Sequence, residues 1–422
     1  MIFQDNKPLK IAALVLLLLV GVYLGFQVGV ERGKQIEKSE DLPVSKNSAL
    51  QENFSMFWEA VEIIKDNYYK PKKINDKKLL YGSIEGVVNS LGDPYSSFLN
   101  PSDAQKFSED MSGTFGGIGA KMGVKEGQLV IVSPLKGNPA EKEGLKSGDK
   151  ILKVNDKLTN DLSIKEAVKL IRGKVGTKVD LMIMRDEFKK PKKFTITRGK
   201  IEIPTLDWKM KEGNIAYMQL YSFNAKAASR FSEASFQALL DGAQGIILDL
   251  RNNSGGFLKV AQDIAGWFLE KGEVVVKERF PSGRVKKFRA QGNGAWGKFP
   301  IVVLVNEGSA SASEIVAGAL RDRAEATLVG ENTFGKGTVQ EVKSLSNGAK
   351  IKVSVAEWVL PDGDTIHKKG LKPGVTVQLD KNIEKGEEDP QLQEALRIIR
   401  RKAQMQNIKQ NKVLPFSETL NL

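Results

Sequence analysis

After Ile201 the chain repeats one pattern: a short unbroken apolar run, a turn, then a helical stretch. Gly245 to Leu250, Pro300 to Val305 and Thr327 to Val329 read as strands with no polar face. Phe257 to Leu269 and Ser313 to Arg321 read as the helices between them. Strands apolar on both faces, joined by helical crossovers, require a parallel sheet covered on two sides. An α/β core is expected.

The chain has 422 residues, which predicts two or three domains. It has no cysteine and one histidine. Disulfides, a thiolate nucleophile and a zinc site built on Cys or paired His are thereby excluded. No metal and no cofactor is expected. A Ser-His-Asp triad survives only with His367 as its base. The net charge of +13 fits nucleic acid, anionic lipid or simple solubility. Lysines are dense only at Lys189, Lys190, Lys192 and Lys193, without interleaved aromatics, so a solvated hairpin is expected and no nucleic-acid partner.

Ile11 to Val30 is apolar apart from glycines, Tyr23 and Gln27, and about 20 such residues span a bilayer core. Lys7 and Lys10 before it favour a cytoplasmic N-terminus. A cleaved signal peptide begins alike, but no A-x-A site follows. The expectation is a cytoplasmic segment at 1–10, a single-pass signal anchor of the inner membrane at 11–30 and a polar linker at 31–50. The rest then lies in the periplasm or another extracytoplasmic space. A helical region follows at 51–110: Phe57, Val61, Ile64 and Tyr68 have helical spacing, and a second amphipathic stretch, Lys77 to Leu91, stops at Gly92-Asp93-Pro94. The tail, 381–422, holds a basic amphipathic helix at Leu392 to Lys402.

Residues 111–200 have a different texture of short strands and turns. Gly116-Gly117-Ile118-Gly119 precedes the strand Leu129 to Val132. Gly144-Leu145-Lys146-Ser147-Gly148-Asp149 leads into Ile151 to Val154, and Ser163 can cap a helix that runs to Arg172. Val179 to Met184 and Lys193 to Thr197 close the unit. The order resembles a PDZ domain. Glycines let consecutive N–H groups point into one concavity that holds a carboxylate, and an extended peptide can add as a strand beside it. The same loop is also compatible with a ligand-free hairpin. Arg172 can face a bound carboxylate or end its helix in solvent.

Gly308-Ser309-Ala310-Ser311-Ala312-Ser313-Glu314 joins a buried strand to a helix. Ser311 at the helix N-terminus sits where unpaired N–H groups favour an oxyanion. Ser311-x-x-Glu314 is equally a capping box. Gly335-Lys336-Gly337-Thr338-Val339-Gln340 looks extended, which puts Lys336, Thr338 and Gln340 on one face. A lysine can act as the base if it is neutral, with Gln340 orienting its amine. An exposed lysine titrates near about 10.4, so this one is expected dry, unpaired and away from carboxylates. Gly330-x-x-x-x-Gly335-Lys336 nearly matches a phosphate loop. However, Gly337 stands where Ser or Thr is needed, and a strand rather than a helix follows.

With LDLRNNSGG at Leu248 to Gly256, GSASASEI at Gly308 to Ile315 and TFGKGTVQ at Thr333 to Gln340, the chain resembles a carboxyl-terminal processing peptidase, or tail-specific protease, over Phe54 to Leu379. The resemblance implies a crotonase-like α/β peptidase core at 201–380 with an inserted PDZ-like domain. It places the nucleophile on Ser311, the base on Lys336 and its orienting partner on Gln340. The oxyanion donors fall on the backbone N–H of Ala312 and of Gly256, with Gly255 as the alternative. The expected protein is a membrane-anchored serine endopeptidase that holds a polypeptide's free C-terminus in the Gly116–Gly119 loop. It is expected to form a homo-oligomer and leaves room for an adaptor protein. The rival is a non-catalytic PDZ-bearing envelope scaffold.

Overall fold

A computed structural model of the chain describes residues 54–125, 127–160, 162–379 and 388–412. The expected span at Ile11 to Val30 and the linker up to residue 50 lie outside them. Among the described residues no helix is long and apolar enough to cross a membrane. The chain divides into two compact units, Met1–Gly82 and Ser83–Leu422. Helix α1 (Phe54–Asn67) follows the predicted spacing, yet none of its residues is buried, and Phe54, Met56, Trp58 and Ile63 are exposed. Helix α2 (Asp76–Asn89) starts where Asn75 Oδ1 accepts the Lys78 N–H at 3.1 Å.

Strand β1 (Ser97–Leu99) and helix α3 (Pro101–Ser112) come next. Asn100 caps α3 by accepting the N–H groups of Ser102 (3.0 Å) and Asp103 (3.1 Å). The inserted domain then runs β2 (Thr114–Gly117), β3 (Ala120–Lys125), β4 (Gln128–Pro134), α4 (Pro139–Lys142), β5 (Lys150–Val154), β6 (Lys157–Leu158), α5 (Ile164–Ile171), β7 (Lys178–Met184), β8 (Lys192–Thr197) and β9 (Gly199–Glu202). An antiparallel sheet in the order β3-β4-β5-β7-β8 closes over Ile118, Ile131, Ile151, Leu181, Ile183 and Ile196. Strand β2 pairs with β9, so the chain enters and leaves this domain at one place. Ser163 caps α5 as expected, exchanging bonds with Glu166. At the other end the buried Arg198 donates to the carbonyls of Leu170 (2.9 Å) and Ile171 (2.7 Å), a cation against the negative end of the helix.

The remainder comprises β10 (Leu206–Lys211), β11 (Ile215–Leu220), α6 (Ala227–Leu240), β12 (Gly245–Asp249), α7 (Leu258–Ala265), β13 (Val274–Arg279), β14 (Val285–Arg289), β15 (Ile301–Val305), α8 (Ala312–Arg323), β16 (Thr327–Gly330), β17 (Thr338–Ser344), β18 (Lys350–Val359), β19 (Val375–Thr376) and α9 (Pro390–Lys412). The central sheet has the order β10-β11-β12-β15-β16-β19 and is parallel except for β10. Strands β12 and β15 are buried throughout because both faces are covered. Ile246, Leu248, Ile301 and Val303 pack with residues of α6, α7 and α8. Ile247, Val302 and Leu304 pack with Ala395, Leu396 and Ile399 of α9, so the segment read as a tail supplies a layer of the core. Helix α7 ends at Ala265 rather than Leu269, and Gly266 just after it lies backbone to backbone against Gly292. In a second, antiparallel sheet, β1-β18-β13-β14 with β17 on β18, only β17 was anticipated, as the strand-like stretch after Lys336.

Candidate active site

Strand β15 delivers the chain into the serine-rich turn and α8 carries it away. Two of the three serines are already engaged. Ser309 Oγ donates to Leu250 O (2.8 Å) and accepts the Asn306 N–H (3.0 Å), while Ser313 Oγ donates to Asn253 O (2.7 Å); both are fully buried. Ser311 is half-buried and stands at φ +55°, ψ −113°. A side chain at positive φ costs on the order of 1–3 kcal/mol unless its surroundings hold it there. Glu314 does so: its Oε2 accepts the Ser311 N–H at 2.9 Å, the glutamate half of the capping box. The same carboxylate reaches beyond its own helix. Oε2 also accepts the Lys336 N–H (3.0 Å), and Oε1 accepts the Thr333 hydroxyl (2.6 Å) and the Gly335 N–H (2.7 Å). One fully buried glutamate thus ties the serine turn to the lysine turn.

The turn after β12 is the third piece. Gly255 has φ +101° and Gly256 φ +151°. A Cβ on Gly255 would lie 2.9 Å from Ser311 Cβ, and one on Gly256 would lie 2.4 Å from Phe223 O, so neither position can carry a side chain. Asn253 pins this turn to the serine turn: its Oδ1 accepts the Gly255 N–H (2.9 Å) and its carbonyl accepts the Ala310 N–H (3.0 Å). The Gly255 donor is therefore engaged. The N–H groups of Gly256 and Ala312 have no acceptor among the described residues. Ala312 also opens α8, where the helix dipole adds positive potential.

Lys336 precedes β17 instead of lying within it, so the strand alternation expected to align it with Thr338 and Gln340 does not extend to the lysine. Its backbone is fixed by Lys368 N–H donating to Gly335 O (2.9 Å) and Trp358 N–H to Gly337 O (2.7 Å). The amine makes no hydrogen bond or ion pair among the described residues, and Nζ stands 6.0 Å from the centroid of the Tyr95 ring. Burial pulls its pKa down to about 8; Lys352 pushes the same way, and Glu314 and Asp93 oppose. The amine is unpaired, as expected. The expectation that no carboxylate acts on it is corrected: two do, and burial outweighs them, with both Glu314 oxygens already accepting N–H or O–H donors.

Gln340 does not hydrogen-bond to the lysine. Its Nε2 donates to Thr338 Oγ1 (2.6 Å), Thr338 O (2.9 Å) and Ser354 Oγ (3.4 Å). Among the described residues His367 has a buried Nδ1 without a partner, so none of their carboxylates orients it from that nitrogen as a triad base requires. In the inserted domain Gly116 and Gly117 belong to β2, Ile118 is buried, and Gly119 has φ +71°. A Cβ on Gly116 would stand 1.9 Å from Gly173 O, so packing alone already demands glycine there. The Arg172 guanidinium lies 3.8 Å from the centroid of the Phe115 ring rather than free in solvent. Sequence reasoning missed the bridging role of Glu314, the pin at Asn253 and the segment around Tyr95.

Three family models match the chain: peptidase family S41 over residues 214–377, PDZ domain over 116–197, and activating protease CtpB N-terminal domain over 16–102. A carboxy-terminal processing protease CtpA of Bacillus subtilis (strain 168) is 42% identical over 326 residues, covering 77% of this chain and 69% of its own. A Staphylococcus aureus (strain MRSA252) protein described as "Probable CtpA-like serine protease" is 39% identical over 338 residues, covering 79% of this chain and 67% of its own. A solved photosystem II D1 C-terminal processing protease is 27% identical, covers 82% of this chain and 92% of that one, and has a TM-score of 0.46.

Proposed function

The chain belongs to the carboxyl-terminal processing peptidases of family S41, serine proteases with a PDZ domain, and from that premise we propose that Ser311 and Lys336 form its catalytic dyad. The observation that carries this reading is the shared Glu314 oxygen, which receives the N–H of both residues. Neutral Lys336 takes the Ser311 hydroxyl proton as Oγ bonds to the scissile carbonyl carbon. The resulting oxyanion accepts from the free N–H groups of Ala312 and Gly256. Collapse breaks the C–N bond, and the leaving amine takes the proton from Lys336. Water then attacks the acyl-enzyme and gives its proton to Lys336, and Ser311 recovers a proton as the acyl product leaves. Gln340 is engaged with Thr338 and Ser354 in this arrangement and orients the lysine only after a rotamer change.

Substrate capture belongs to the inserted domain, with a free C-terminus held at Gly116–Gly119 and the upstream chain fed to Ser311. The apolar run Ile11 to Val30 behind Lys7 and Lys10 supports an inner-membrane anchor with the catalytic part outside the cytoplasm. Homo-oligomers and an adaptor are compatible with this placement. No observation favours the non-catalytic scaffold. The test is cleavage of an unstructured protein by the purified chain. Ser311→Ala and Lys336→Arg are expected to lower the rate by roughly 10^4-fold or more while keeping the fold. Ser309→Ala and Ser313→Ala are expected to keep most activity at some loss of stability, since each breaks a buried hydrogen bond. Activity retained in Ser311→Ala removes the reading.

A further inference from the structure

The segment Asp93–Leu99 crosses the lysine side of the site. Strand β1 pairs antiparallel with β18, placing Ser97 opposite Lys352. Asp93 folds the segment: Oδ1 accepts the Tyr95 N–H (3.0 Å) and Oδ2 the Ser96 hydroxyl (2.5 Å). Ser96 Oγ in turn accepts the Ser354 N–H (3.1 Å), which locks the segment to the second sheet. Tyr95 is thereby held half-buried, its ring centroid 6.0 Å from Lys336 Nζ, 6.0 Å from the His367 ring and 6.4 Å from the Phe334 ring. At that distance, the outer limit of a cation–π contact, the ring attracts an ammonium weakly, and its main effect is the volume it denies to water. The charged groups acting on Lys336 are Glu314 from α8, Asp93 from this segment and Lys352 from β18; Tyr95 and His367 are the neighbouring titratable groups.

We propose that Asp93–Leu99 is a wall of the active site, in which Tyr95 keeps water from the Lys336 amine while Asp93 and Lys352 set the charge balance around it. Tyr95, Asp93 and Lys352 are positioning residues, and the proposal rests on Lys336 as the base. The signs are distinct. Removing the ring admits water and favours the ammonium. Removing the Lys352 charge favours it too. Removing the Asp93 charge disfavours it. A segment that only braces the fold has no reason to move the lysine in opposite directions.

The experiment is a carbon-13 NMR titration of the lysine ε-carbons in the full chain carrying Ser311→Ala, with the Lys336 signal identified by its loss in Lys336→Arg. The parent midpoint is expected at about 8. Tyr95→Ala and Lys352→Met are expected to raise it by roughly one unit or more, Asp93→Asn to lower it, and Tyr95→Phe to leave it nearly in place. Tyr95→Val, smaller but apolar, is the second probe if the alanine variant does not fold, and its midpoint is expected above that of Tyr95→Phe. Tyr95→Ala or Tyr95→Val titrating with Tyr95→Phe, or Lys352→Met and Asp93→Asn shifting together, overturns the wall. Base and wall fail separately: an active Lys336→Arg enzyme removes the base, whereas unmoved midpoints beside an inactive Lys336→Arg remove the wall alone.

Discussion

At about neutral pH the Lys336 ammonium is held where burial disfavours it. With a folded pKa of about 8 against an ordinary 10.5, the folded chain releases this proton while the unfolded chain still binds it. Stability from this group therefore rises with pH across that window. Lys336→Met is expected to melt above the parent below about pH 8, with the gap narrowing as the pH approaches 10.5; a constant gap would show that the ammonium is not strained. Gly337→Ala is a second probe at this scale. Its Cβ would stand 2.2 Å from His367 N, and backbone cannot yield as a side chain can, so a loss of about 1–3 kcal/mol and displacement of Lys336 are expected in denaturation and activity assays. The turns that carry Ser311 and Lys336 were legible because small residues and glycines frame them in sequence. Glu314 was legible only as a cap. Its bonds to Thr333, Gly335 and Lys336 join distant segments and leave no local pattern.

Helix α9 shows how an element reaches the site without touching it. Its N-terminal cap, Asp389, and Gln391 accept from Arg251 Nη1 at 3.1 and 3.0 Å, while Arg251 Nη2 donates to Asp249 Oδ2 at 2.6 Å. Asp249 has no exposed surface and also accepts the Tyr217 hydroxyl (2.7 Å). Arg251→Ala leaves that carboxylate without its cation and is expected to cost about 3–5 kcal/mol in urea unfolding. Asp389→Asn keeps the Asp249 pair and is expected to cost less; equal losses would place the energy in the helix cap instead. Of the parallel strands, β12, β15 and β16 were legible because burial leaves continuous apolar runs. The second sheet was legible only at β17. Lys350–Val359 is half-buried and alternates lysine, serine and glutamate with apolar residues; it pairs with the neighbouring β17 across a short turn, but its other partners, β1 and β13, lie far away in sequence and left no local signal.

At the scale of the whole molecule, the proposed recognition and the proposed chemistry sit on separate supports joined by one antiparallel pair, β2 with β9. The loop proposed to capture the C-terminus begins on β2 itself. Substitutions at its glycines are poor probes of binding, since a Cβ on Gly117 meets the Phe115 ring at 2.9 Å and one on Gly119 meets Asn138 Cβ at 2.4 Å. Changing the substrate avoids that confusion. Amidation of a peptide's C-terminus removes the charge the loop is proposed to hold and is expected to raise KM; equal KM for acid and amide would remove the carboxylate from recognition. The central claim, a serine served by a lysine, is tested most directly by the pH dependence of kcat/KM on a peptide substrate in the parent, His367→Gln and Lys336→Arg proteins. The account predicts a rise centred at about 8, kept in His367→Gln and absent with the activity in Lys336→Arg. A rise that disappears in a folded His367→Gln protein, or a Lys336→Arg protein that still cleaves, would contradict it.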